Sequence, residues 1–383
     1  MYARSLTLPN HSFFLFGPRG TGKTTWLRKV LPHALWRNLL LDEDYLPLLG
    51  DSSLLRRAVD ALPAGSWVVI DEVQRLPGLL NEVHDLISRR GDAIKFAMSG
   101  SSARKLRRAE VNLLAGRAID RRLFPFTSQE LGDDFDLDAA LTYGTLPAVV
   151  QDPSYAADIL EAYIGTYLTQ EIQQEALVKD LGSFHRFLQI IGLLNGEQIN
   201  TSAIARDAAV ARTTVERYLS VFVDTLLGYR LPAWRPRIKV RERARPKFYL
   251  FDPGIVRTLL GRTREGLAPT EAGKLLETFV LHELRSAVSY KGCGGTLSFW
   301  RSSGGAEIDF VWSRADRHVG IEVKASHSWR RSSSRALKDL HASGILSECF
   351  AIYRGKDILR DGPVLVLPYE EFSRRLHRGE ILA

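Results

Sequence analysis

Eight consecutive residues, Gly17-Pro18-Arg19-Gly20-Thr21-Gly22-Lys23-Thr24, spell G-x-x-x-x-G-K-[ST]. That spacing suits one chemistry, the cradling of nucleotide phosphates. Glycines let backbone N–H groups turn inward around a triphosphate, and a helix starting at the loop's end adds partial positive charge. Lys23 can reach the β- and γ-phosphates, and the Thr24 hydroxyl can ligate Mg²⁺. Residues Gly17 to Thr25 are therefore the expected binding set for ATP or GTP. Downstream, Trp67-Val68-Val69-Ile70-Asp71-Glu72 ends an apolar run on two carboxylates. Asp71 is the expected Mg²⁺ holder, and Glu72 the residue that polarises the attacking water. Ser99 ends a further apolar run and is expected to sense the γ-phosphate or orient water, with an ordinary serine-rich turn as the alternative. Arg104, Arg107, Arg108, Arg117, Arg121 and Arg122 are candidates for a transition-state arginine, and the sequence does not choose among them.

These residues need particular elements beneath them. Phe13–Phe16 reads as a buried strand feeding the loop, and Thr25–Leu31 as a short helix stopped by Pro32. Further strands are expected near Asn38–Leu41, at 67–70 and at 95–98, with the 67–70 strand beside the loop strand. Strand and helix alternate here as in a parallel α/β sheet. Helical periodicity then runs from about Tyr155 to Leu227, interrupted near Asn195–Thr201. A Pro- and Arg-rich stretch, 232–247, precedes a strand at Phe248–Phe251. The last third predicts a helix over 272–290, strands at 296–300, 307–312 and 319–323, a helix over 331–342 and a strand at 349–353.

Within the middle third, 201–208 and 212–219 read as two helices joined by Ala209-Val210-Ala211, the first with a hydroxyl N-cap. Ile204, Ala205, Val210, Val215 and Leu219 form their expected shared core. This is the outline of a helix-turn-helix, with Arg212 and Arg217 on the recognition helix. In 235–247 every odd position is basic, so an extended ribbon would place all seven charges, Arg235, Arg237, Lys239, Arg241, Arg243, Arg245 and Lys247, on one face, suited to nucleic-acid phosphates. A packing-only winged helix and a solvated loop are the competing readings.

The last third carries a second set of carboxylates. Glu277 lies on a helix, Asp309 on a strand, and Glu322-Val323-Lys324 closes the next strand. This order resembles the PD-(D/E)xK nuclease core, although Glu307-Ile308-Asp309 stands where that pattern has Pro-Asp. Asp309 and Glu322 can share a Mg²⁺, Glu277 can complete its shell, and Lys324 shares a face with Glu322 because i and i+2 align on a strand. The alternative is a nuclease-like fold that binds without cutting.

Composition narrows the class. A chain of 383 residues with 45% hydrophobic and 25% charged residues is long enough for two or three folded domains. No apolar run approaches the roughly 20 residues of a membrane span, and no signal-peptide core opens the chain. Two cysteines support neither a four-thiolate zinc site nor a disulfide framework, so a reducing cytoplasm is expected. A formal charge of +8 suits a polyanionic partner.

The phosphate loop, Asp71-Glu72-Val73-Gln74, Ser99-Gly100-Ser101-Ser102 and Gly116-Arg117 resemble the bacterial and archaeal AAA+-type ATPases that carry a DUF4143 C-terminal region. The resemblance continues through Gly144-Thr145-Leu146-Pro147, Thr166-Tyr167-Leu168, Phe248–Asp252 and Glu307–Phe310. It implies architecture and ATP use more than a pathway. The expected fold is α/β: an AAA+-like P-loop NTPase core over 1–132, a helical and winged-helix region over 133–255, and a PD-(D/E)xK-like α/β domain over 256–383. The expected function is Mg²⁺-dependent ATP hydrolysis that switches a DNA-interacting module. Two rivals stand beside it: an ATP-gated, metal-dependent nuclease, and a non-enzymatic ATP-binding regulatory or assembly protein. Self-association is left open.

Overall fold

The computed structural model describes residues 2–101, 114, 116–168, 180–235 and 245–382. The chain separates into two compact units, one of Ala3–Pro125 with Asp224–Leu226, the other of Tyr2, Phe126–Val223 and Leu227–Ala383.

The first unit is a five-stranded parallel sheet. Its elements are β1 (Phe13–Phe16), α1 (Lys23–Val30), β2 (Leu35–Asn38), α2 (Asp42–Gly50), α3 (Ser53–Asp60), β3 (Ser66–Asp71), α4 (Leu79–Arg90), β4 (Ile94–Gly100) and β5 (Ile119–Arg122). The strand order is β2-β3-β4-β1-β5, and each adjacent pair is parallel. β1 is buried at every position, as a strand covered on both faces must be. α4 turns Leu79, Leu80, Val83 and Leu86 into the core with helical spacing. The order corrects one expectation: β3 is not beside the loop strand, because β4 lies between them. Both are apolar runs buried in one sheet, and strand adjacency is a pairing choice that neither run encodes by itself.

The second unit begins with short helices α5 (Ser128–Leu131), α6 (Leu137–Tyr143), α7 (Pro147–Gln151) and α8 (Ala156–Ala162). A second group follows: α9 (Leu181–Leu193), β6 (Glu197–Gln198), α10 (Thr201–Asp207), α11 (Arg212–Asp224), β7 (Gly228–Leu231) and β8 (Lys247–Leu250). The three strands pair antiparallel in the order β6-β8-β7. Ile204, Ala205, Val215 and Leu219 are buried as expected. α10 is capped by the Asn200 side chain, which accepts from Ala203 N at 3.3 Å, and not by a hydroxyl.

After α12 (Pro253–Leu259) comes the long helix α13 (Pro269–Lys291) and a six-stranded mixed sheet. Its strands are β9 (Thr296–Arg301), β10 (Glu307–Arg314), β11 (Arg317–Lys324), β12 (Glu348–Tyr353), β13 (Leu359–Asp361) and β14 (Val364–Pro368), in the order β13-β14-β12-β11-β10-β9. Helices α14 (Arg335–Ala342) and α15 (Tyr369–Arg378) complete it. Deep in this unit the fully buried Glu283 accepts from Ser128 N at 2.7 Å, His377 Nε2 at 2.7 Å and Tyr369 O–H at 3.3 Å. Among the described residues no helix is long and apolar enough to cross a membrane.

Candidate functional site

The loop between β1 and α1 is shaped by its glycines. Gly20 and Gly22 adopt φ of 78° and 87°, the left-handed region that side chains disfavour. At Gly17 an added Cβ would stand 2.3 Å from the Leu123 carbonyl oxygen, so no side chain fits there. α1 starts at Gly22 without a side-chain cap, which leaves its first N–H groups for an anion. The buried Lys23 ammonium donates to Gly17 O at 2.8 Å and Pro18 O at 3.1 Å, folded onto its own loop. These features fit a phosphate chain.

Although β3 is one strand removed, its end meets the loop. Thr24 Oγ1 donates to Asp71 Oδ2 at 2.7 Å, and Ser99 Oγ from β4 donates to Asp71 Oδ1. The Ser99 hydroxyl also accepts from Glu72 N at 3.2 Å, so the intervening strand braces both acidic residues. Glu72 sits at φ 60°, a left-handed conformation unusual for a glutamate, and Gln74 Nε2 donates to its Oε2. Gln74 Nε2 also reaches Ser101 Oγ at 3.2 Å, while its buried Oε1 has no hydrogen-bond partner among the described residues. Asp71 and Thr24 have the oxygen donors that Mg²⁺ takes. In the sequence Gln74 stands only as the last residue of Asp71-Glu72-Val73-Gln74, with no role of its own.

Of the candidate arginines, Arg104, Arg107 and Arg108 lie outside the described residues. Arg121 and Arg122 lie on β5, where Arg122 pairs in register with Phe16, the residue before Gly17. Arg117 is exposed.

The second constellation lies in the second unit. β10 and β11 run antiparallel with Phe310 opposite Ile321, which puts Asp309 and Glu322 on neighbouring positions of adjacent strands. Both are buried. Asp309 Oδ2 accepts from Val323 N at 2.8 Å. Lys324 Nζ donates to Glu322 Oε1 and lies 3.9 Å from Asp309 Oδ2. Glu277, on α13, accepts from Tyr249 O–H at 3.1 Å and lies 3.5 Å from Lys274 Nζ. Burial and the charge of Asp309 push the Glu277 carboxyl up to about 7 and the Glu322 carboxyl up to about 8. Burial alone would lower Lys324, but the charges of Asp309 and Glu322 hold it above its ordinary value. So the expected residues neighbour one another electrostatically, with a lysine inserted at the carboxylate pair. Among the described residues no group of three or more His, Cys, Asp or Glu side chains is arranged to hold a metal ion. Glu277 therefore does not complete a metal shell with Asp309 and Glu322 as the sequence suggested. Tyr249 and Lys274 carry no signal in the sequence, because they come from a distant strand and from the helix's own preceding turn.

In the middle region Arg212 and Arg217 are exposed on α11 while Val215 and Tyr218 face inward. Arg212 Nε donates to Glu216 Oε1 at 2.9 Å. Arg237, Lys239, Arg241 and Arg243 lie outside the described residues.

Comparisons with known proteins give matches in three stretches of the chain. Residues 9–132 match the profile of an AAA domain. Residues 134–266 and 272–372 match two domains of unknown function, DUF8612 and DUF4143. Uncharacterised proteins of Mycobacterium tuberculosis and Mycobacterium bovis are each 30% identical over 355 residues, spanning 89% of this chain and 76% of theirs. Among solved structures, a chain of Drosophila ORC bound to AT-rich DNA and Cdc6 has 10% identity and a TM-score of 0.22, covering 67% of this chain and 87% of that one. Protein VC1899 from Vibrio cholerae has 10% identity and a TM-score of 0.21, covering 96% and 95%. At those scores neither carries an argument.

Proposed function

This chain belongs to the family of AAA-domain proteins that carry a DUF4143 region, and from that premise we propose that it is a Mg²⁺-dependent ATPase whose nucleotide cycle switches a DNA-contacting module. One observation carries the reading: Thr24 and Ser99 hydroxyls converge on Asp71 while Gln74 holds Glu72 beside it. Thr24 and Asp71 would hold the metal. Bound there, Mg²⁺ supplies charge neutralisation at the β- and γ-phosphate oxygens. Lys23 exchanges its two loop carbonyls for phosphate oxygens. Glu72 accepts a proton from the attacking water, in an orientation maintained by Gln74. Ser99 keeps Asp71 and the Glu72 backbone in register across β4. The three parts of the reading are the core over 1–132, the winged-helix region over 133–255 and the PD-(D/E)xK-like domain over 256–383. The test is ATP turnover by the purified full chain, with and without Mg²⁺ and duplex DNA. Turnover that requires Mg²⁺ and changes with DNA is expected. Binding without turnover would instead make it a protein that holds ATP for assembly or regulation.

A second reading rests on a separate observation, the Asp309–Glu322–Lys324 group on adjacent strands of a mixed sheet. In this reading the carboxylates hold a divalent ion, and Lys324 positions the water that attacks a phosphodiester. ATP then gates cutting. Metal-dependent nicking of supercoiled DNA by the full chain separates the two readings.

A further inference from the structure

Between α10, α11 and the antiparallel strands of the middle region lies an open groove of about 480 Å³. Three arginines from three different elements line it: Arg212 at the start of α11, Arg230 on β7 and Arg245 just before β8. Thr201 and Ser202 add hydroxyls. Among the described residues Glu216 is the one acidic residue of the lining, so these residues carry a net charge of +2 (three arginines less one glutamate). Glu216 is committed to Arg212. The Arg230 and Arg245 side chains are exposed, and no ion pair among the described residues involves either. Like charges in excess within one groove repel, and an anion relieves that repulsion.

The chemistry of the lining selects the anion. Guanidinium groups present paired donors that match phosphate oxygens. Hydroxyls add neutral donors. Polar residues outnumber apolar ones in the lining, whereas the enclosures that bury a small organic ligand are predominantly apolar. Arg217 lies exposed on the helix that lines the groove. We propose that this groove seats phosphodiesters of a nucleic-acid backbone, with Arg212, Arg230 and Arg245 as the phosphate-binding residues and Thr201 and Ser202 as supporting donors. The proposal rests on reading the middle region as a nucleic-acid-contacting module, and adds to it a site that a recognition-helix reading does not contain.

The test measures binding of a short fluorescein-labelled duplex to the full chain by anisotropy over a series of salt concentrations. The Arg230→Ser/Arg245→Ser variant should flatten the dependence of log affinity on log salt by roughly 1.8, at about 0.9 for each phosphate no longer neutralised. The Arg230→Lys/Arg245→Lys variant should keep the parental slope, which separates removal of charge from damage to the fold. Glu216→Gln should tighten binding about twofold by freeing Arg212, a gain that a damaged fold would not produce. An unchanged slope in the serine variant, with the parent binding DNA, would overturn the groove while the module reading stands. Absence of DNA binding by the parent at the lowest salt would overturn the module reading and the groove with it. In a second arm, inorganic phosphate is titrated calorimetrically. Saturable phosphate binding that the serine variant abolishes, alongside an unchanged DNA slope, would make this a free-anion pocket and overturn the backbone assignment.

Discussion

The Thr24 hydroxyl donates to Asp71 Oδ2 at 2.7 Å although the strands that lead to these residues are not neighbours. Loop and carboxylate are joined across β4, and Ser99 of that strand holds the carboxylate's other oxygen. Three strands therefore build the site together, and the part each residue plays can be measured separately.

Lys23→Ala should weaken ATP binding by about 10- to 100-fold. A charge-assisted hydrogen bond contributes about 1.5–3 kcal/mol, and the lysine's alternative partners are carbonyls of its own loop. Titration with a fluorescent ATP analogue reads this directly. Unchanged affinity would show that the loop is not the nucleotide site.

Gly17→Ala should abolish nucleotide binding while leaving the second unit folded. The new Cβ would lie 2.3 Å from the Leu123 carbonyl oxygen, and that backbone cannot yield without moving the loop. A circular dichroism spectrum like the parent's, together with abolished nucleotide binding, is the expected pair of results.

Glu72→Gln should retain nucleotide binding and lower kcat by about 10²–10⁴-fold, the usual loss for a positioned general base. Gln74→Ala should lower kcat less, because Glu72 survives but loses the amide that orients it. Equal kcat in all three proteins would place water activation elsewhere.

Asp309→Ala should abolish metal-dependent nicking of supercoiled DNA while ATP hydrolysis persists, since the two sites use different residues. If the parent nicks DNA under no divalent metal, the carboxylates belong to a binding scaffold, and the nuclease reading falls.

Glu283 predicts an acid-sensitive fold. Burial alone would raise its carboxyl, but the hydrogen bond and charge of His377, with help from His282 and Ser128 N–H, hold it below the ordinary glutamate range. The folded state therefore binds this proton more weakly than the unfolded chain does. Its stabilisation is complete above the ordinary glutamate value and is lost as pH falls through the depressed one. His377→Ala would leave a fully buried carboxylate without its partner, at a cost of about 3–5 kcal/mol, or a drop in Tm on the order of 10 °C. Thermal melts from neutral to acidic pH test both statements. A variant that melts like the parent at neutral pH would show that the pair contributes nothing.

Much of this protein is legible in its residues. The phosphate loop announces itself because its chemistry is local: glycines, lysine and threonine act within eight positions of chain. The buried strands at Phe13–Phe16 and Trp67–Ile70 follow from apolar runs, and the two helices at 201–207 and 212–224 from periodicity and composition. β5 and β13 are not legible in this way, being short and carrying charge, as in Ile119-Asp120-Arg121-Arg122 and Leu359-Arg360-Asp361. Hydrophobic pattern says that a strand is buried but not which strand lies beside it, so the insertion of β4 between β1 and β3 emerges only in three dimensions. The same holds for every contact made at long range. Tyr249 meets Glu277, and Arg212, Arg230 and Arg245 gather around one groove. Glu283 looks like any helical glutamate until Ser128 and His377 close on it from positions 155 and 94 residues away. Local propensity and short motifs act through bonds and near neighbours, and the sequence by itself determines these. Which distant side chains share a desolvated space is decided by packing, and only the tertiary structure holds that information.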